Sequence, residues 1–244
     1  MKKSIIASSA SVVFLLGLSP QLQAISCADS YVGSGLTVLE GATVCFLYDA
    51  ADVSPLYGNL TVSGDNIFSN PDAFIASSAN GGSTQTTGIG TVRVAAKDGY
   101  DLSIINILER GNYRLSGAGS SVDLDASLDI FSTDSPLFDF STSALSITGD
   151  LSLQDSNLHN FSASTSFDLN TVNWLNTNDI GLTLTNILTA TTIDIGETAT
   201  IEKNLSGTQL VSIVTTPTAV PIPASIWLFG AGLFAMTGFI RRRK

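Results

Sequence analysis

The stretch Val122-Asp123-Leu124-Asp125-Ala126-Ser127-Leu128-Asp129-Ile130-Phe131 decides the fold class. Leu124, Ala126, Leu128 and Ile130 alternate with Asp123, Asp125, Ser127 and Asp129. A period of two puts one set on a buried face and the other in water, as a half-buried strand requires. Leu145, Ile147, Gly149, Leu151 and Leu153 repeat the pattern, which predicts a strand over Ser143–Leu153. Outward from these, strands are expected at Thr43–Tyr48, Asn59–Val62, Ala73–Ala76, Gly90–Ala95, Leu102–Glu109, Tyr113–Leu115 and Phe161–Leu169. Four more are expected at Ile180–Leu188, Thr191–Ile195, Ala199–Lys203 and Gln209–Val214. Ser54-Pro55, Asn70-Pro71, Asn80-Gly81-Gly82, Asp98-Gly99 and Ser135-Pro136 punctuate the runs as turns. Helix-period runs are almost absent from this region.

The expectation is an all-β domain over residues 25–215. One-sided alternation and uneven loops favour an antiparallel β-sandwich. The alternative is a β-solenoid, suggested by Leu137-x-x-Phe140-Ser-Thr-Ser recurring as Leu158-x-x-Phe161-Ser-Ala-Ser. Two weak copies fall short of an array of three or more repeats, so the sandwich is preferred.

Charged residues make up 13% of the 244, against about a quarter in ordinary soluble chains. The 44% hydrophobic content is enough to bury a core. Six of the eleven basic residues lie at the extreme ends. Between the ends only Arg93, Lys97, Arg110, Arg114 and Lys203 stand against all 21 acidic residues. Such a body has no basic patch to neutralise phosphates, which argues against nucleic acid as a partner.

Residues 1–24 have the layout of a secretory signal peptide. Lys2 and Lys3 form the positive start, Val12–Leu18 the short apolar core, Pro20 a helix breaker and Ala24 a small residue for cleavage. Cleavage after Ala28 is a second option and would remove Cys27. Cys27 and Cys45 are the only cysteines. In an exported chain they are expected to form a structural disulfide, contributing about 2–4 kcal/mol; two buried free thiols are the alternative.

Residues 216–244 form a third unit. Ala219–Ile240 carries no charge, and Ala224–Ile240 as a helix would span about 25 Å, marginal but adequate for a bilayer core. Ser225, Ile226, Trp227, Leu228, Phe229, Gly230, Leu233 and Ile240 belong to this expected transmembrane helix. Trp227 falls where an indole prefers the interface, and Arg241, Arg242, Arg243 and Lys244 would stay cytoplasmic.

The order Val220-Pro221-Ile222-Pro223-Ala224, apolar helix, Arg-Arg-Arg-Lys closely resembles the PEP-CTERM sorting signal, most of all its Val-Pro-Leu-Pro-Ala sub-type. Ile222 stands where that sub-type has Leu. The resemblance covers about the last 25 residues. It implies processing by exosortase, a membrane protease or transpeptidase that cuts near the Pro-x-Pro motif. It also implies a Gram-negative source and a place at the cell surface, in biofilm or in extracellular matrix, with exopolysaccharide or surface glycan as partner. Before processing the chain would sit in the inner membrane through its C-terminal helix.

The body offers little chemistry to set beside this. His159 is the sole histidine, so any Ser–His–Asp triad must use it. No Gly-x-Ser-x-Gly elbow occurs. Gly33/Gly35, Gly88/Gly90 and Gly117/Gly119 lack the third glycine and the following helix of a phosphate loop. Asp123, Asp125 and Asp129 share one strand face, whereas a glycosidase needs carboxylates across a cleft. Their oxygens suit calcium, but the EF-hand pattern is missing. Glu109-Arg110 with Arg114 is expected as a salt-bridged surface group. No cofactor is expected, and a non-enzymatic surface, matrix or adhesive protein is the favoured function. A carbohydrate-binding module is the alternative, with Tyr48, Tyr57, Tyr100, Tyr113 and Trp174 as candidate aromatics and a core position the preferred one for Trp174. A secreted hydrolase ranks below both.

Overall fold

The computed structural model describes residues 26–71, 73–203 and 208–218. The signal peptide expected at 1–24 and the tail from Val220 to Lys244 lie outside the described residues. Among the described residues no helix is long and apolar enough to cross a membrane.

Two antiparallel sheets carry the chain, the arrangement of a β-sandwich. The first is six-stranded, ordered β1 (Thr37–Glu40), β2 (Val44–Tyr48), β6 (Gly82–Ala96), β12 (Asp179–Thr192), β8 (Ser121–Ser132) and β9 (Phe140–Ala144). The second is built on β7 (Tyr100–Ser116). One side of β7 pairs with β11 (His159–Asp168), which pairs in turn with β10 (Ser146–Thr148). The other side pairs first with β14 (Thr208–Pro217) and then, further along, with β13 (Thr198–Lys203). β14 continues to β4 (Asn66–Ser69) and β3 (Thr61–Ser63), and β13 continues to β5 (Phe74–Ala79).

These pairings exclude the solenoid. Stacked solenoid repeats would run parallel, whereas every ladder here is antiparallel, and the two Leu-x-x-Phe copies enter β9 and β11, which belong to different sheets. Several expected strands also merge. Leu102–Glu109 and Tyr113–Leu115 are one 17-residue strand, β7. Ile180–Leu188 and Thr191–Ile195 are one strand, β12, which ends at Thr192. The strand expected over Ser143–Leu153 is broken instead. Of its expected inner face only Leu145 is buried, Ile147, Gly149 and Leu153 being exposed; at Leu145 the chain leaves β9 in one sheet and enters β10 in the other.

The core lies between the sheets. Phe46, Val94, Leu128, Ile130 and Ile180 from the first sheet meet Ile67, Ile105, Ile107, Leu115 and Ile201 from the second. On β12, Ile180, Leu182, Leu184, Leu188 and Ala190 point inward. Its outer threonines pair across the ladder, Thr183 with Thr91 at 2.9 Å and Thr191 with Ser83 at 3.0 Å, the kind of cross-strand pair that stabilises a sheet.

β2 is apolar on both faces for a structural reason. Val44 and Phe46 enter the main core, while Cys45 and Leu47 join a second cluster with Cys27 and Ala95. Cys27, in the four-residue helix α1 (Cys27–Ser30), is joined to Cys45 by a disulfide that ties the start of the described chain to the sheet.

Candidate functional site

Three strands each contribute one residue of a polar cluster on their inward, apolar side. On β7 the buried series Ile105, Ile107 continues to Glu109. On β12 Asn186 falls between Leu184 and Leu188, and on β13 Lys203 follows Ala199 and Ile201. The three side chains meet between the sheets. Lys203 Nζ donates to Glu109 Oε2 at 2.5 Å, and Asn186 Nδ2 donates to Glu109 Oε1 at 2.8 Å. Lys203 Nζ also donates to Asn186 Oδ1. Asn186, Glu109 and Lys203 are 0%, 3% and 4% exposed.

Tyr57, in the short 3-10 turn Pro55–Tyr57, completes the cluster. Its hydroxyl accepts from Asn186 Nδ2 at 2.9 Å and donates toward the Leu184 carbonyl at 3.2 Å. The Phe74 ring closes the other side, edge-on to Tyr57 with centroids 5.6 Å apart and 5.4 Å from Lys203 Nζ. Gly88 makes room for that ring, since a Cβ there would lie 2.6 Å from Phe74 Cζ.

Burial pushes the Tyr57 phenol pKa upward, the Glu109 charge adds to this, and the Asn186 hydrogen bond opposes it. Burial lowers the Lys203 pKa, and the carboxylate of Glu109 pulls it back up. A buried ion pair of this kind survives only with good geometry and satisfied hydrogen bonds. The expected surface group of Glu109, Arg110 and Arg114 is therefore corrected. Strand alternation turns Glu109 into the core, while Arg110 and Arg114 are exposed on the other face of β7.

His159 sits at the start of β11. Its Nε2 pairs with Asp155 Oδ1 at 2.7 Å, and its ring stacks on buried Tyr113 at 5.4 Å. The His159 and Asn157 contacts hold the Asp155 pKa well below the usual carboxylate range. A triad would need a serine on the other ring nitrogen, but the nearby Ser156 gives its hydroxyl to Ser116 at 3.0 Å. Asp123, Asp125 and Asp129 line the outer face of β8, where Asp129 accepts from Thr142 at 2.7 Å. Among the described residues no group of three or more His, Cys, Asp or Glu side chains could hold a metal ion.

The candidate aromatics do not gather on one sheet face. Tyr57 and Tyr113 are buried; Tyr48, Tyr100 and Trp174 are half-buried. Trp174 packs at the margin of the core, tilted against Phe167 at 6.0 Å. Exposed apolar side chains instead collect where the loop 133–139 meets the loop 172–178. Leu137 and Phe138 are each 88% exposed, Leu175 is 90% exposed, and Phe140 at the start of β9 is half exposed. Two hydrogen bonds hold the loops together: Leu175 N to Asp139 Oδ2 at 3.2 Å, and Asn176 Nδ2 to Asp134 Oδ2 at 2.8 Å. No sequence period could mark this cluster, because loop residues follow none.

No family model and no curated protein matches the sequence. Among solved structures the chain is similar to one from work on the promiscuous specificity of carbohydrate-binding modules of the β-sandwich superfamily. That match has 9% identity and a TM-score of 0.21, over 70% of this chain and 72% of the other.

Proposed function

We propose that this chain is a non-enzymatic exported protein of the cell surface or extracellular matrix. A signal peptide at 1–24 delivers it, and exosortase processes it at the tail. The observation that carries the proposal is the order Val220-Pro221-Ile222-Pro223-Ala224, then an uncharged run to Ile240, then Arg241-Arg242-Arg243-Lys244. A run of that length stalls in a bilayer with its basic end on the cytoplasmic side. The disulfide supports export, because such bonds persist in oxidising compartments. It also favours cleavage after Ala24, which keeps Cys27 in the mature chain.

The test is mass spectrometry of the mature C-terminus from host cells with and without the sorting protease. Loss of the residues after the Pro-x-Pro motif only when the protease is present supports the proposal. An intact Lys244 end in both strains reduces the tail to a plain anchor.

A second reading adds glycan binding, and the rim cluster is what favours it. Exposed Phe138 and Phe140 offer ring faces to the apolar faces of sugars, and the carboxylates and amide of Asp134, Asp139 and Asn176 lie in the same loops. Apolar surface with a few placed polar groups is the usual make-up of a small-ligand site. Retention of the protein on polysaccharide from its host, lost in the double variant Phe138→Ala, Leu175→Ser, would support it. Equal retention of both proteins would end it.

A further inference from the structure

The contacts at the centre of the sandwich have a chemical direction. Lys203 carries a nucleophilic nitrogen. Asn186 carries an amide carbon, Cγ, whose oxygen that nitrogen already contacts. Glu109 reaches both the attacking nitrogen and the nitrogen that would leave, one carboxylate oxygen to each, at 2.5 Å and 2.8 Å. The group is buried under Phe74 and Tyr57, away from water that would compete for the carbonyl or solvate the ammonium. Bound nucleophile, electrophile and proton carrier in one fixed array are what convert a slow amide exchange into an intramolecular reaction.

We infer that Lys203 and Asn186 form an intramolecular isopeptide bond, with Glu109 as the catalytic proton carrier. Glu109 takes one proton from the Lys203 ammonium, leaving a neutral amine. The amine lone pair attacks Asn186 Cγ, forming the Nζ–Cγ bond and moving the carbonyl pair onto Oδ1. Glu109 passes its proton to Nδ2 and accepts one from Nζ. Collapse of the Oδ1 pair breaks the Cγ–Nδ2 bond and expels ammonia, which departs with the remaining proton as ammonium. No oxidant or cofactor enters the balance. The downward pull of burial on the Lys203 pKa favours the amine form the first step needs. Tyr57 accepts from Nδ2 and so fixes the orientation of the amide.

The bond joins β12 of the first sheet to β13 of the second. It is a covalent staple through the core, separate from the Cys27–Cys45 link on the outer side of β2. It does not depend on the glycan reading or on the sorting tail.

The experiment is a digest of the reduced, denatured full-length protein. Cleavage after glutamate at Glu109, Glu197 and Glu202 places Asn186 in the peptide 110–197 and Lys203 in the peptide beginning at residue 203. The inference expects these as one branched species, lighter than the two peptides together by one ammonia, and it expects trypsin to leave Lys203 uncut. Two separate peptides with full masses, and tryptic cleavage after Lys203, would overturn it. Glu109→Gln keeps the shape but cannot carry the proton; it also removes the cleavage site at 109, so its folded protein should give two separate peptides, 41–197 and the one beginning at residue 203. A branched species in folded Glu109→Gln would remove Glu109 from the reaction. Should that variant not fold, the wild-type digest alone still decides the bond.

Discussion

The middle of the sandwich and its rim depart from the usual distribution of side chains in opposite directions. In the middle, Glu109, Asn186 and Lys203 occupy positions that strand alternation assigns to apolar residues, and they are closed off from solvent. At the rim, Leu137, Phe138 and Leu175 stand in water although they are apolar. The interior departure is satisfied within the protein, because Glu109, Asn186 and Lys203 pair with one another and Asn186 also with Tyr57. The rim departure is not satisfied by anything in the described chain, which is why it suggests a ligand. The interior group bears on stability and on the inferred covalent bond, and the rim on the proposed glycan binding.

Removing the interior carboxylate should have the largest effect. Glu109→Ala leaves Lys203 buried without its counter-ion and should cost about 3–5 kcal/mol of unfolding free energy, measured by denaturant titration. A loss under about 0.5 kcal/mol would mean that the ammonium reaches water and that the site is not closed. A smaller effect is expected one layer out. Gly88→Ala presses a methyl into the Phe74 ring that covers Lys203, which should cost about 1–3 kcal/mol by the same titration. The smallest effect on stability is expected at the rim. Phe138→Ala with Leu175→Ser should stay within about 0.5 kcal/mol of the parent, because neither side chain is packed. A large loss there would make the rim a structural element and not a binding surface.

Much of this was legible in the alternation. Residues 122–131 announce β8, and the same logic finds the inner faces of β7 and β12. The parity that buries Ile105 and Ile107 also buries Glu109, so the interior cluster was written in the sequence. Reading Glu109 with its neighbour Arg110 hid it, because adjacent residues on a strand point to opposite faces. Asn186 and Lys203 carry the same signal, but which three strands meet is a long-range fact that local pattern does not contain. The sheet switch at Leu145 was illegible for a related reason: alternation continues unbroken while the pairing partner changes from β8 to β11. The short strands β1 and β4 lie outside the strands expected from the sequence. The loop contacts through Asp134 and Asp139 rest on hydrogen bonds between segments 36 and 42 residues apart.

NMR of the folded protein labelled with nitrogen-15 at lysine Nζ reads the chemical state of the Lys203 nitrogen. Lys203 Nζ should appear as a secondary amide bearing one proton, with a through-bond correlation to Asn186 Cγ. A Lys203 signal with the shift and proton count of an amine or ammonium, like the other lysines, would contradict it.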